Sequence, residues 1–147
     1  MSTTPSWRRF LALRAAQKRV VYRALALLPL AAAGIGLLGV QRTRSLLAWL
    51  SPPFPEASDS PRAEEVARLV AAAARHGPYR ATCLPTALVL QSILSRLGTA
   101  TCLRLGVRRN AGGLEAHAWV EYGGDPLIDA DVRERFSPFA PIDGRNG

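Results

Sequence analysis

The period of the apolar residues changes at Thr99, and this change limits the possible folds more than any other feature of the chain. Before it, residues 83–97 repeat apolar side chains at helical spacing. After it, residues 101–108, 115–122 and 126–130 alternate as strands do, with glycine-rich turns between them. Helices followed by an antiparallel meander predict an α+β domain.

The chain divides by composition into a basic, hydrophobic helical lead-in, residues 1–50, and a core domain, residues 51–147. Within the lead-in, residues 6–28 carry Arg, Lys and apolar residues at helical spacing. Residues 24–40 then contain no charge, and we expect Pro29 and the three glycines that follow it to interrupt this run. Three prolines at the start of the core domain predict a linker between the two parts.

The uncharged run 24–40 allows two placements. It is seventeen residues long, which is at the lower edge of the roughly twenty that a spanning helix needs. It either packs as a helical hairpin inside the domain, which we favour, or it inserts into a membrane or anchors the chain at a membrane surface. The expected location is therefore cytoplasmic, with membrane association as the alternative.

The positive charge of the chain lies entirely in its first third. Residues 1–50 contain eight Lys/Arg and no Asp/Glu, whereas residues 51–147 contain eleven of each. The core domain is therefore electroneutral, which argues against nucleic-acid binding over the whole surface. The basic segment instead suits an anionic partner, an acidic peptide or a membrane surface.

The two cysteines, Cys83 and Cys102, predict different roles. They lie nineteen residues apart and form neither a disulfide framework nor a metal-ligand pattern, so we expect a reduced setting and no metal or cofactor. Cys102 falls within a predicted strand, where a small apolar side chain packs. Cys83 opens a helix, where the helix dipole favours the thiolate that acts as a nucleophile.

A histidine and an aspartate follow Cys83 in the order that a cysteine enzyme needs. His117 lies on the second predicted strand and Asp129 on the third. The imidazole activates the thiol, and the carboxylate fixes the tautomer and orientation of the imidazole. Cys83, His117 and Asp129 are therefore the predicted catalytic residues of an acyl-transferring enzyme, with Asp131 as an alternative for the third position.

The loop between the second and third strands decides whether His117 and Asp129 share a face of the sheet. A three-residue loop over 123–125, which its glycines favour, places them on the same side as diagonal neighbours. A loop over 122–124 places them directly opposite each other. A two-residue turn would place them on opposite faces, so the triad depends on this register.

The remaining site predictions concern the oxyanion and the substrate. The backbone N–H of Cys83 is one natural oxyanion donor, and the second is expected from the preceding loop, where Tyr79, Arg80 and Thr82 are available. Tyr79, Thr82 and Trp119 are the candidate substrate-binding residues. Trp119 lies two residues after His117 on the same strand face, where it either shields the imidazole from water or fills the core.

Several motifs within residues 60–140 resemble one family. They are Cys83-Leu84-x-x-Ala87-Leu88, Leu97-Gly98, Leu105-Gly106-Val107-Arg108, Ala116-His117-Ala118-Trp119-Val120-Glu121, Leu127-x-Asp129 and Phe136-x-Pro138-Phe139. In these motifs the chain resembles the transglutaminase-like leader peptidases of lasso-peptide biosynthesis. The resemblance implies a papain-like cysteine protease core, with Cys83 as nucleophile, His117 as base and Asp129 as orienter. It also implies removal of the leader from a ribosomally made precursor peptide.

The resemblance also implies partners. A leader-binding domain is fused to the peptidase in some family members, and here a basic hydrophobic segment occupies that place. We therefore expect a separate small leader-binding protein (a RiPP recognition element), the precursor leader peptide, and an asparagine-synthetase-like cyclase that acts on the freed core. The basic first third is expected to bind the leader-binding protein, an acidic leader, or both.

Two other functions fit the same residues. The triad would serve a transglutaminase or an arylamine acyltransferase if an amine intercepted the acyl-enzyme. Alternatively, the chain is a non-enzymatic, membrane-associated adaptor that uses residues 1–50, and its triad-like residues only pack.

Overall fold

The computed structural model describes residue 8 and residues 11–51, 61–77, 82–128 and 132–138. Four helices precede the sheet in these residues: α1 (Ala15–Leu38), α2 (Val40–Leu50), α3 (Ala63–His76) and α4 (Cys83–Arg96). They are followed by β1 (Cys102–Asn110), β2 (Gly113–Tyr122), β3 (Asp125–Pro126), a short helix α5 (Val132–Arg135) and β4 (Ser137–Pro138). The predicted α+β class is confirmed.

Helix α1 runs without a break through Pro29, so the interruption predicted at this proline is wrong. Pro29 is solvent-exposed, while residues before and after it are anchored in the core, and this packing outweighs the one backbone hydrogen bond that proline removes. The break comes at Gly39, whose φ of 82° favours glycine. Gly34 is buried against Thr43 of α2, where a Cβ would lie 2.8 Å from the threonine hydroxyl.

The four helices share one apolar core. Helix α1 packs on α3 and α4, and its residues Val20, Leu28 and Ala31 are almost completely buried there. The uncharged run is thus packed within the domain over its inner side. By length and composition alone, α1 could still cross a membrane, with a mean hydropathy of 1.8 and a third of the window buried. The division of the chain at residue 51 stays a prediction.

Helix α4 begins at Cys83, as the sequence predicts. Pro85 lies in the first turn, where its missing N–H costs nothing because the first N–H groups of a helix have no partner within it. The helix ends at Arg96, and Gly98 follows with a φ of 79°. The interior of α4 is buried between the other helices and the sheet, so its N-terminal end is held at a fixed place beside β2.

The sheet is antiparallel, with the strand order β3-β2-β1-β4. Its centre is the β1–β2 hairpin, in which Gly106 lies directly opposite His117. This hairpin presents two faces. Leu103, Ala118 and Val120 face the helical core, whereas Trp119 packs in a smaller cluster with Val132 and Phe136.

The connection from β2 to β3 is a two-residue turn, so the three-residue loop predicted over 123–125 is wrong. Tyr122 pairs with Asp125, and Gly123 and Gly124 both have positive φ, as a tight hairpin turn requires. The third strand predicted over 126–130 is also much shorter: β3 ends at Pro126, and beyond it one backbone hydrogen bond, from the Leu127 N–H to the Val120 carbonyl at 3.0 Å, continues the pairing. The ladder therefore stops before it can determine the face of Asp129, which lies outside the described residues.

Candidate active site

A cavity of about 210 Å³ lies between the N-terminal end of α4, the last turns of α3 and one end of β2. Cys83 and His117 both line it. The other lining residues are Ala71, Ala74, Arg75, Thr82, Thr86, Ala87, Leu90, Ala118, Trp119, Val120 and Ile128. The residue that carries the thiol and the residue that carries the imidazole thus border one small, largely apolar space.

The start of α4 presents Cys83 to this cavity. Thr82 precedes it in an extended conformation, and the helix starts with the cysteine itself. Thr86 is held one turn later, where its N–H and its hydroxyl both donate to the Thr82 carbonyl, at 3.3 and 2.7 Å. Because the Cys83 N–H is in the first turn, no helix carbonyl accepts from it. Both the thiol and a backbone donor are therefore fixed at the positive end of the helix dipole.

His117 is placed by two aromatic rings. Its imidazole stacks on Phe136, with ring centroids 5.0 Å apart and an interplanar angle of 22°. The Trp119 ring lies 6.3 Å from it at 21°. Both rings are almost completely buried, so they limit the rotation of the imidazole and exclude water from one side of it.

The Trp119 ring is itself held by a buried carboxylate. Its Nε1–H donates to Glu121 Oε1 at 3.1 Å, and Arg104 Nε donates to the other oxygen of Glu121 at 3.2 Å. Glu121 is only 6% exposed, and its charge is balanced by this ion pair with Arg104. A chain of contacts thus runs from Arg104 through Glu121 and Trp119 to His117.

Gly106 leaves space for the indole. A Cβ at this position would lie 2.8 Å from the Trp119 ring and 2.9 Å from the Ser137 carbonyl oxygen on β4. Any side chain here would therefore push the indole or β4 away. A glycine is needed within Leu105-Gly106-Val107-Arg108 for a steric reason, because it leaves room for the Trp119 indole to lie flat beside His117.

Phe136 also has cationic neighbours on the side away from the helices. The Arg108 guanidinium lies 4.9 Å from the ring centroid and that of Arg135 5.5 Å. Arg108 pairs with Glu115 at 2.7 Å, and hydrogen bonds from Arg108 and Asn110 hold the pKa of Glu115 below its usual value. These contacts cover the outer surface of Phe136 and hold it against the imidazole.

Arg75 is the one permanently charged side chain among the described residues that line the cavity. It lies in the last turn of α3, where a cation also suits the helix dipole. A guanidinium at this place would attract an anionic group of a substrate.

The structure brings four of the predicted site residues to one cavity: Cys83, His117, Thr82 and Trp119. Predicted residues Asp129 and Tyr79 lie outside the described residues, as do the alternatives Asp131 and Arg80. Cys83 and His117 both line the cavity, but strand alternation places the His117 side chain on the sheet face away from α4, and the described residues show no hydrogen bond between the two.

Three residues that contact or line the site received no role from the sequence. Glu121 stands on the same strand face as His117, and this spacing alone could have indicated its contact with Trp119. Arg75 lies in the last turn of α3, and its position in the sequence indicates only a charge that suits that end of a helix. Phe136 lies nineteen residues after His117 along the chain, and no local pattern predicts that it returns there. In the described part of the chain, no group of three or more His, Cys, Asp or Glu is arranged to hold a metal ion.

Comparison with known proteins gives one family. The sequence model described as the transglutaminase-like superfamily matches residues 24–140, which is most of the chain and includes the cavity residues. Neither the curated proteins nor the solved structures contain a match to this sequence.

Proposed function

The chain belongs to the transglutaminase-like superfamily, and from this premise we propose that it is a cysteine peptidase that removes the leader from a ribosomally made lasso-peptide precursor. Members of the superfamily are typically cysteine proteases or acyltransferases. The observation that carries the proposal is that Cys83, at the first position of α4, and His117 of β2 line the same cavity.

The chemistry begins with the thiolate of Cys83, which attacks the carbonyl carbon of the scissile peptide bond. The resulting oxyanion accepts a hydrogen bond from the Cys83 backbone N–H, and the second donor comes from the segment that ends at Thr82. His117 gives its proton to the departing amine, so the core peptide leaves with a free N-terminus and the leader stays as a thioester.

Water completes the cycle. His117, now neutral, takes a proton from a water molecule that attacks the thioester carbonyl. The C–S bond breaks, the leader leaves with a free carboxylate, and the thiolate is restored. In this proposal Asp129 orients the imidazole, with Asp131 as the alternative.

The lasso-peptide assignment is supported by sequence motifs. The block from Ala116 to Glu121 contains the base, the indole beside it and the carboxylate that holds the indole. The resemblance of this block to the leader peptidases of lasso-peptide biosynthesis therefore involves residues that form the candidate site. With the peptidase we propose a separate leader-binding protein, which brings the leader, and an asparagine-synthetase-like cyclase, which consumes the freed core.

The same acyl-enzyme would make the chain an acyltransferase if an amine reached it before water. The superfamily includes this chemistry. The cavity is small and its lining is mostly apolar, so the lining itself does not select water over an amine. The bound substrate would determine which of the two attacks the acyl-enzyme.

The test is mass spectrometry of a lasso-peptide precursor incubated with the chain and its leader-binding protein. We expect two products, leader and core, whose masses sum to the precursor plus one water. Cys83→Ala should bind the precursor and form neither product. Cys102→Ala is the matched control, since Cys102 lies on β1 outside the cavity lining, and it should cleave like the wild type.

Three results distinguish the alternatives. Cleavage that persists in Cys83→Ala would overturn the peptidase mechanism. A leader product that carries an added amine in place of water would identify an acyltransferase. Equal biological function of Cys83→Ala and wild type, with no product from either, would support the adaptor.

A further inference from the structure

Helix α1 has two apolar faces on opposite sides. The inner face is buried against α3 and α4 and comprises Val20, Ala24, Leu27, Leu28 and Ala31. What we call the outer face comprises Tyr22, Ala26, Pro29, Leu30, Ala33 and Leu37. At 3.6 residues per turn, these six fall within a sector of about 100° on the side away from the core.

The outer face is exposed in the structure. Tyr22, Leu30 and Leu37 are 59%, 48% and 84% exposed. No charged residue occurs in the sequence between Arg23 and Arg42, so the whole length of this strip is apolar, over about 22 Å of helix. A solvent-facing side of a helix normally carries charged residues, and a continuous exposed apolar strip indicates a surface that something covers.

The inner face prevents α1 from crossing a membrane. A spanning helix would have to withdraw Val20, Leu28 and the other inner residues from the core that they share with α3 and α4. The outer face could contact a bilayer without withdrawing any residue from the core, because its side chains already point away from the protein. Contact with a bilayer is therefore possible along the surface, parallel to the membrane plane.

Basic residues that flank the strip along the sequence, together with exposed aromatic residues on α1 and α2, favour an anionic lipid surface. Arg19 lies three residues before Tyr22 and is exposed, and Arg42 is exposed at the start of α2. Trp49, which is 79% exposed, stands two helical turns after Arg42 on the same face of α2. Residues 1–50 carry no acidic side chain that would repel phosphate groups. Basic and aromatic residues around an apolar strip are the pattern of interfacial helices.

A protein partner fits the strip less well. Interfaces between proteins carry about one hydrogen bond per 100–200 Å², and these bonds fix the register of the two surfaces. Apart from the Tyr22 hydroxyl, the six side chains of the outer face offer no hydrogen-bonding group. A fluid layer of acyl chains needs none.

We propose that the outer face of α1 binds to an anionic membrane surface, with Arg19 and Arg42 at the level of the headgroups. The proposal goes beyond the peptidase function and does not depend on it. None of the residues that line the cavity belongs to α1, so the peptidase would work at the membrane with its site unobstructed by the lipid-binding residues.

The test is sedimentation of the full chain with vesicles of phosphatidylcholine, either alone or with one quarter phosphatidylglycerol. We expect the chain to sediment with the anionic vesicles and to partition on the order of ten-fold less onto the neutral ones. The double variant Leu30→Asp with Leu37→Asp should lose at least about ten-fold in partitioning, because two charges would enter the apolar layer. Leu114→Asp is the matched control, since Leu114 is 74% exposed on β2 and should not affect binding.

A second double variant tests how much the positive charges contribute to vesicle binding. Arg19→Gln with Arg42→Gln should weaken partitioning onto anionic vesicles by about ten-fold and leave the neutral vesicles unaffected. Cys83→Ala should partition like the wild type. Circular dichroism of each variant must show the wild-type helix content and unfolding temperature for its result to count.

Three results would overturn the proposal. The wild type could remain in the supernatant with both vesicles, or it could bind neutral and anionic vesicles equally. A third is that the aspartate pair leaves vesicle binding intact but abolishes self-association or binding of the leader-binding protein, measured by sedimentation velocity. That outcome would assign the outer face to a protein instead of a lipid.

Discussion

The two faces of the β1–β2 hairpin differ in what holds them together. The face toward the helices is filled by Leu103, Ala118 and Val120, whose side chains contribute apolar contact and no hydrogen bonds. The opposite face contains His117 and Trp119, whose positions depend on a stacked ring and a buried carboxylate. Apolar packing tolerates a range of shapes, whereas directed contacts hold one geometry. The difference indicates that apolar packing dominates the face toward the helices and directed contacts dominate the face away from them.

The largest expected effect comes from removing the imidazole. His117→Ala should lower kcat/KM for precursor cleavage by about a hundred- to ten-thousand-fold, because a general acid–base group is lost. The free energy of unfolding should fall by about 1–3 kcal/mol, since the stacked contacts with Phe136 and Trp119 are both lost. Steady-state kinetics and urea unfolding measure the two quantities.

His76→Ala is the control for this variant. His76 is exposed at the end of α3 and does not line the cavity, so both quantities should stay near the wild type. If the His117→Ala variant cleaved the precursor normally, the acid–base group would not lie on this face of the hairpin.

The next largest effect should fall on stability alone. Leu103 is completely buried on the helix-facing side, and Leu103→Ala should lower the free energy of unfolding by about 2–5 kcal/mol. The folded fraction should keep the wild-type kcat, measured at a temperature where the variant stays folded. Leu114→Ala, at an exposed position on β2, is expected to change stability by less than about 0.5 kcal/mol. If Leu103→Ala instead lowered kcat at full folding, the two faces would not be separable in this way.

A third change tests the contact chain behind the imidazole. Glu121→Gln keeps an oxygen that accepts from the Trp119 Nε1–H but removes the charge that Arg104 pairs with. The free energy of unfolding should fall by about 1–3 kcal/mol. We also expect kcat to fall several-fold with KM nearly constant, because Glu121 acts through Trp119 and does not contact the substrate.

Glu115→Gln is the matched control, since Glu115 pairs with Arg108 on the same sheet face but its side chain is 40% exposed. It should affect both quantities less than Glu121→Gln does. Equal effects of the two variants would mean that burial of the carboxylate gives Glu121 no special part in positioning the site.

The elements that contribute Cys83 and His117 could be predicted from local spacing. Helix α4 and the strand that contains His117 follow from the 3.6- and two-residue periods, which the structure confirms. The common face of His117, Trp119 and Glu121 follows from the alternation along one strand. These features depend on residues close together in the chain, and such interactions leave a visible pattern.

Features that depend on distant residues could not be predicted. The continuity of α1 through Pro29 comes from packing on α3 and α4, which outweighs the local preference. A pair of glycines suits both a two- and a three-residue loop, so the register after Tyr122 was not determined by the sequence. The approach of Phe136 to His117 joins segments that no spacing relates.

The smallest expected effect concerns Glu65. Like Glu121, this carboxylate accepts side-chain hydrogen bonds, but it lies closer to the solvent. Glu65 of α3 accepts hydrogen bonds from Gln17 in the first turn of α1 and from Arg14 just before that helix. Burial alone would raise the pKa of Glu65, but these hydrogen bonds outweigh it and lower the pKa below its usual value. A lowered pKa in the folded state means that the charged form adds stability above the usual carboxyl pKa, and that this stability is lost as the pH falls through the lowered value.

Glu65→Gln should therefore destabilise the protein by less than about 1 kcal/mol near neutral pH, where exposed ion pairs contribute little. The difference from the wild type should shrink as the pH falls below about 4, since the wild-type carboxylate then becomes protonated. Urea unfolding at a series of pH values measures this, with Glu64→Gln, an exposed neighbour in the same turn, as the control. A loss as large as that of Glu121→Gln would show that burial is not what distinguishes the two carboxylates. A difference that persisted unchanged at low pH would mean that Glu65 stabilises the contact with α1 through its shape and not through its charge.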